Sequence, residues 1–284
     1  MTNIDQFESF FNAAHKPQFQ SEVLSLKSVL VVTDLDAESS EGFTGTCRQF
    51  VESLEDLGQV DWAVLSGDDY GSVDALMKGI QDGPPDLICT YRNLRNPATD
   101  YPYSLGTYLD VLTQVVGSPV LVLPRPTAES TAIVPAPSVV MAITDHLTGD
   151  GHLVSYAARF TPASGTLYLS HIEDEAILQR YVATFAKIPA IDTKSAAHEL
   201  QHQLLKEPHD YVIACREVLH ESRPSIHVEE IVMLGHQLKD YVRLVEKHDV
   251  SLVVLNTKDD DQLAIHGLAY PLAIELRDTA MLLL

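Results

Sequence analysis

The run His198-Glu199-Leu200-Gln201-His202 matches H-E-x-x-H, in which two imidazoles one helical turn apart bind zinc and the glutamate polarises a zinc-bound water. His198 and His202 are therefore the metal candidates, and His209 offers a third ligand. Three observations weigh against it. The chain holds 12 histidines, so chance matches come easily. Pro208 is expected to break or kink the helix before His209. Ala197, Leu200 and Leu204 fall on the opposite side, which turns the imidazoles to solvent. Asp68-Asp69 and Asp259-Asp260-Asp261 supply oxygen ligands for a divalent ion, but neither has EF-hand spacing, and both are expected to be solvated loops. Asp145-His146 and His171 lie within reach of Ser155 or Ser170 in sequence, yet no G-x-S-x-G elbow is present. His171 is read instead as a hydrogen-bonded histidine at a strand end. Gly149-Asp150-Gly151 is too short to cradle phosphate and is read as the turn that opens a helix. The three cysteines, Cys47, Cys89 and Cys215, lack metal or redox spacing and suit buried, reduced thiols.

The elements that must position these residues alternate between strand and helix. Lys27 to Asp36 (KSVLVVTDLD) is a β-branched run ending in acid, the pattern of a strand buried on both faces of a parallel sheet. Phe43, Cys47, Phe50, Val51, Leu54 and Leu57 form a helical stripe that Gly58 is expected to stop. Strands are then predicted at Val60 to Leu65, Asp86 to Thr90 and Pro119 to Leu123, with helices at Ser72 to Ile80 and Leu105 to Val116. After a proline-rich stretch the pattern restarts. Strands are predicted at Val139 to Asp145, Thr166 to Ile172, Ile226 to Leu234, Ser251 to Leu255 and Ala280 to Leu284. Helices are predicted at Gly151 to Phe160, Gln237 to Glu246 and Ala269 to Arg277, with a long helical excursion that ends near Ser222. Such alternation implies right-handed βαβ units on a parallel sheet.

Three landmarks recur in order across the two halves. Thr33-Asp34 matches Thr144-Asp145, and Gly67 matches Gly235. Gly106 precedes Pro119 by 13 residues, as Gly267 precedes Ala280 by 13. The expected fold class is α/β: two Rossmann-like modules with parallel sheets, related by pseudo-twofold symmetry. The expected boundaries are an N-terminal helical extension (1–25, carrying Phe7, Phe10 and Phe11), a shortened first module (26–127), a linker (128–138) and a second module (139–284). The first module is short because 62 residues separate Ile172 from Gly235, while Leu65 passes almost directly to Gly67.

The ordered landmarks resemble the universal stress protein family in its tandem form. Asp34 and Asp145 stand where its first strand ends in acid, and His171-Ile172 is similar to a second strand ending in His-Val. Val228 to His236 (VEEIVMLGH) looks like its VEEVVLEG-x-P segment. Leu105-Gly106-Thr107 and Ser118 to Val122 match its L-G-S helix and CPVLVV strand. The resemblance implies an adenine nucleotide alpha hydrolase-like module and a nucleotide site built on G-x2-G-x9-G-[ST]. Glycines there let backbone amides reach phosphate, and a helix N-terminus adds positive potential.

Gly106-Thr107 matches the last pair of that motif, but the earlier glycines fall near Tyr91 and Leu94 with about two residues too many. Gly267 matches in the second half, with Leu268 in place of the hydroxyl residue; the earlier positions fall near Asn256 and Asp259. Three aspartates then stand where a triphosphate would lie, and like charges repel without a metal. The motif is read as degraded in both halves. The pocket expected in the second half is bordered by Thr144, Asp145, His171, Ile172, Gly235, Asn256 and Gly267, with Asp34, Gly106 and Thr107 as its counterparts in the first.

Net charge is −21, which repels nucleic acid. No apolar run approaches the roughly 20 residues of a membrane span, and the N-terminus lacks a basic and apolar leader, so the cytoplasm is expected. The expectation is a non-enzymatic stress-response or regulatory protein that binds a protein partner or small ligand. No cofactor is expected, ATP being the candidate if one is bound. The alternative is a slow ATP hydrolase or a metal protein using His198 and His202. An uncharged final strand invites pairing, either between the halves, Val120 to Leu123 with Ala280 to Leu284, or in a homodimer.

Overall fold

β-Branched and leucine-rich runs become strands buried on both faces. β1 (Ser28–Val32), β3 (Leu87–Tyr91), β4 (Val120–Leu123), β5 (Val139–Ile143), β8 (Leu252–Leu255) and β9 (Ala280–Leu283) are buried along nearly all their length. The remaining strands are β2 (Asp61–Leu65), β6 (Thr166–Asp174) and β7 (His227–Gly235). The helices are α1 (Ala37–Glu52), α2 (Val73–Gln81), α3 (Thr107–Val115), α4 (Gly151–Arg159), α5 (Glu175–Phe185), α6 (Thr193–Ser222), α7 (Gln237–Lys247) and α8 (Ala269–Glu275). This computed structural model describes residues 18–54, 57–81, 83–96, 103–126, 136–144, 147–257 and 267–284. Phe7, Phe10, Phe11, Asp145, His146, Asp259 to Asp261 and most of the proline-rich linker lie outside the described residues.

The strands form one sheet in the order β2-β1-β3-β4-β9-β8-β5-β6-β7. All neighbours are parallel except β4 and β9 at the centre, which run antiparallel with Val120 opposite Leu283, Leu121 opposite Leu282 and Val122 opposite Met281. From that ladder outward, β3-β1-β2 repeats β8-β5-β6, and the two parallel half-sheets point in opposite directions. Pseudo-twofold symmetry follows from the reversal at β4–β9. The final strand is interior, bonded to β8 on one side and β4 on the other, so its edge is closed. The second half carries β7, α5 and α6 with no counterpart in the first, which leaves β2 as the short first edge.

Three local expectations change. α1 ends at Glu52 rather than at Gly58, because the Ser53 hydroxyl turns back to donate to the Phe50 carbonyl at 2.6 Å and Leu54 closes a tight turn on Val51. α6 runs unbroken through Pro208 to Ser222. A proline costs that helix one amide bond, but Pro208, Tyr211, Val212, Cys215 and Leu219 are buried against the body, and that packing holds the turn. Residues 18–27 carry no helix. They lie along the second half instead, with Phe19 edge-on to Tyr211 and the Glu22 amide donating to Ser155 Oγ at 3.0 Å. Among the described residues no helix is long and apolar enough to cross a membrane.

Candidate functional site

Open parallel sheets leave a crevice beyond the strand ends where the winding direction reverses. The strand order creates two, one between β1 and β3 and one between β5 and β8. Thr33-Asp34 closes β1, and Thr144 closes β5.

The first crevice is filled by the protein's own side chains. Tyr91, the last residue of β3, donates its hydroxyl to Asp34 Oδ1. That same hydroxyl accepts from the Asp34 amide at 3.1 Å and lies 2.7 Å from Thr33 Oγ1. The Arg95 amide donates to Asp34 Oδ2 at 2.7 Å, and Arg125 Nη2 reaches the same oxygen at 3.0 Å. The Arg95 guanidinium donates to the carbonyls of Gly67 and Tyr70 and lies 4.8 Å over the Tyr70 ring. The Arg125 guanidinium lies 5.0 Å over the Tyr91 ring and donates to the Asn93 carbonyl at 2.5 Å. Tyr70 completes the plug by donating to the Thr33 carbonyl at 2.9 Å. Two cations, two phenols and one carboxylate thus tie together the ends of β1, β2, β3 and β4.

The electrostatics agree. Burial works to raise the Asp34 carboxyl, but the Tyr91 hydrogen bond, the Arg95 amide and the Arg125 guanidinium outweigh it and hold Asp34 below the usual aspartate value. Burial and then the bond to Asp34 push the Tyr91 phenol up to about 12, so it stays a donor. Burial and the Asp34 charge raise the Tyr70 phenol as well.

Gly106 caps α3, but the space in front of that helix is taken. Its φ is +91°, and a Cβ there would stand 2.9 Å from Asn93 Cα. The Asn93 amide donates to the Leu105 carbonyl at 2.8 Å, which presses the loop after β3 onto the helix start. Asn93 and Arg95 both sit at φ 58°, a left-handed conformation that arginine adopts at a cost. Thr107 is exposed in the first turn.

In the second crevice the centre is a carboxylate absent from the sequence-based pocket. Asp150 caps α4 by accepting from the Leu153 amide at 3.0 Å. Asn256, just past β8, donates Nδ2 to Asp150 Oδ2 at 2.5 Å, and the Thr144 side chain hydrogen-bonds to Asp150 as well. Burial raises the Asp150 carboxyl above its ordinary value, against the partial opposition of Leu153, Asn256, His152 and Thr144. Thr144 and Asn256 are therefore brought together through Asp150. Asp145 lies outside the described residues.

His171, Ile172 and Gly235 gather elsewhere, at the ends of β6 and β7 beneath α7. The Ile172 amide donates to the Tyr241 hydroxyl at 3.0 Å, and its carbonyl accepts from Gln237 Nε2 at 3.0 Å. His171 is buried, with Nε2 3.2 Å from Glu173 Oε2. Gly235 ends β7 just before His236, whose amide is capped by Asp240 at 2.8 Å. Gly267, at φ +58°, precedes α8 and its N-cap Leu268.

His198 and His202 are exposed on α6 and line, with Gln201, Lys206, His209 and Glu230, a groove of about 390 Å³. His209 Nδ1 lies 2.6 Å from Glu230 Oε1. Among the described residues no group of three or more histidine, cysteine, aspartate or glutamate side chains is arranged to hold a metal ion.

The sequence reading missed Tyr70, Tyr91, Arg95, Arg125 and Asp150 as site residues. Two signals bear on them: Arg95 and Arg125 are among only 19 basic residues and lie in the loops just after β3 and β4, and Asp150 sits in a glycine turn before a helix.

No protein-family model matches the chain, and no curated protein matches it. Solved structures do. A universal stress protein from Archaeoglobus fulgidus aligns over 92% of this chain and 97% of its own at 11% identity, with a TM-score of 0.50. A protein of unknown function from Pseudomonas aeruginosa aligns over 92% of this chain and 93% of its own at 14% identity, with a TM-score of 0.49. At such identities the likeness speaks to architecture. With its doubly wound halves joined at β4–β9, the chain has the universal stress protein fold in two-module form.

Proposed function

We propose that this chain is a non-enzymatic, universal-stress-type binding protein of the cytoplasm. It acts in stress response or regulation through a protein partner or small ligand, and its first nucleotide crevice has been converted into a structural core. The observation that carries this reading is the Asp34 plug. A nucleotide in that crevice would have to displace Arg95, Arg125 and Tyr91 from a carboxylate they already satisfy. Breaking charge-assisted bonds of that kind costs about 1.5–3 kcal/mol each, and a triphosphate would also meet Asp34 itself. The second crevice, where uncharged Asn256 and Thr144 hold Asp150, is the place for a small ligand. Its centre is acidic, which favours a neutral or cationic group over phosphate.

Equilibrium dialysis against ATP, with and without Mg²⁺, tests this directly. The expected result is no stoichiometric binding in either condition. Tight Mg²⁺-dependent binding would favour the slow-hydrolase alternative. The metal alternative rests on the shared groove of His198, His202 and His209. Elemental analysis of the purified protein beside a His198→Ala variant is expected to show no stoichiometric zinc in either; one zinc per chain, lost in the variant, would overturn that.

A further inference from the structure

We propose that α5 and the N-terminal half of α6 form a docking arm whose occupant is the same arm of a second copy of this chain. From Gln179 to Glu207 no side chain is buried, and only at Pro208 does α6 enter the core. α5 has 11 residues, too few to be stable alone in water. It lies against α6, and one stripe of it is covered, with Leu178 buried and Val182 and Phe185 half-buried at helical spacing. A second apolar stripe at helical spacing faces out: Ile177 is 36% exposed, Tyr181 46% and, just beyond the helix, Ile188 43%. Three of the large exposed hydrophobic side chains thus fall within twelve residues of one arm.

Charge selects the occupant. Residues 175–207 contain four acidic and four basic side chains, so the arm is neutral in a chain of net charge −21. Two copies repel over the rest of their surfaces, and the arm is where they approach without that cost. A single self-complementary stripe suits a twofold, isologous contact in which two helical hairpins pack as a four-helix bundle. The arm belongs to the insertion that only the second half carries, so such a dimer leaves both crevices and the central β4–β9 ladder untouched.

Sedimentation velocity of the full chain in the micromolar range tests the proposal. The wild type is expected to be a dimer. The double variant Ile177→Asp/Tyr181→Asp is expected to be a monomer with unchanged far-UV circular dichroism, and Ile188→Glu, which lies outside both helices, is expected to weaken the dimer at least tenfold. Val115→Asp, at an exposed apolar site on α3, serves as the control and is expected to remain dimeric. A monomeric wild type would overturn the proposal, as would a dimer that survives both arm variants or one that Val115→Asp dissociates.

Discussion

Asp34 and Asp150 occupy equivalent crevices and have opposite electrostatics. Asp34 is held below its ordinary value, so the folded state binds its proton less tightly than the unfolded chain. Its stabilising contribution is complete above the unfolded aspartate value and is lost as pH falls through the lower, folded one. Asp150 is raised by burial, so its contribution is complete below the unfolded value and declines as pH rises through the folded one. Urea denaturation of Asp34→Asn and Asp150→Asn between about pH 3 and 7 should give differences from wild type that slope in opposite directions. At neutral pH Asp150→Asn is expected to stay within about 1 kcal/mol of wild type, because an amide still accepts from Leu153 and a rotated Asn256 still pairs with it. Parallel slopes would contradict this account. Of these two acids, Asp34 stood out in sequence as a strand-end acid. Asp150 did not stand out as a site residue, because its meaning depends on Asn256, which is 106 positions away.

Among elements, the loop joining β3 to α3 decides what the first crevice is. Gly106→Ala forces a Cβ against Asn93 at an unfavourable φ and is expected to cost about 1–3 kcal/mol. Gly42→Ala, exposed within α1 with open space around it, is expected to gain about 0.5–1 kcal/mol. Comparing urea midpoints of the two variants checks both, and a neutral Gly106→Ala would mean the loop is not pressed onto the helix. Strands such as β1 and β5 were legible from the sequence because burial on both faces demands uninterrupted β-branched and leucine runs. Helix ends were less so: the Ser53 turn-back and the survival of α6 at Pro208 arise from hydrogen bonding and packing that no local pattern encodes. The excursion before β7 read as helical, but its projection as an arm is a matter of what lies next to it.

Across the molecule, two half-sheets wound the same way meet antiparallel at β4 and β9 about a pseudo-twofold, and Arg92 reaches over the join to the Leu276 carbonyl at 3.1 Å. Burial lowers that guanidinium to about 10, and it remains a cation. The duplication was legible because Thr33 and Thr144 close equivalent strands and Gly106 and Gly267 precede equivalent helices; Gly67 and Gly235 are not equivalent, since Gly67 follows β2, the counterpart of β6, while Gly235 ends the added strand β7. The plug was not, because Asp34, Tyr70, Tyr91, Arg95 and Arg125 come from four strand ends and converge only once the sheet is assembled. Amide hydrogen exchange with Mg²⁺ and ATP in large molar excess reads whether that convergence leaves room for a nucleotide. Exchange at residues 33–36, 66–70 and 91–96 is expected to be unchanged. Nucleotide-dependent protection confined to those segments would contradict a filled crevice.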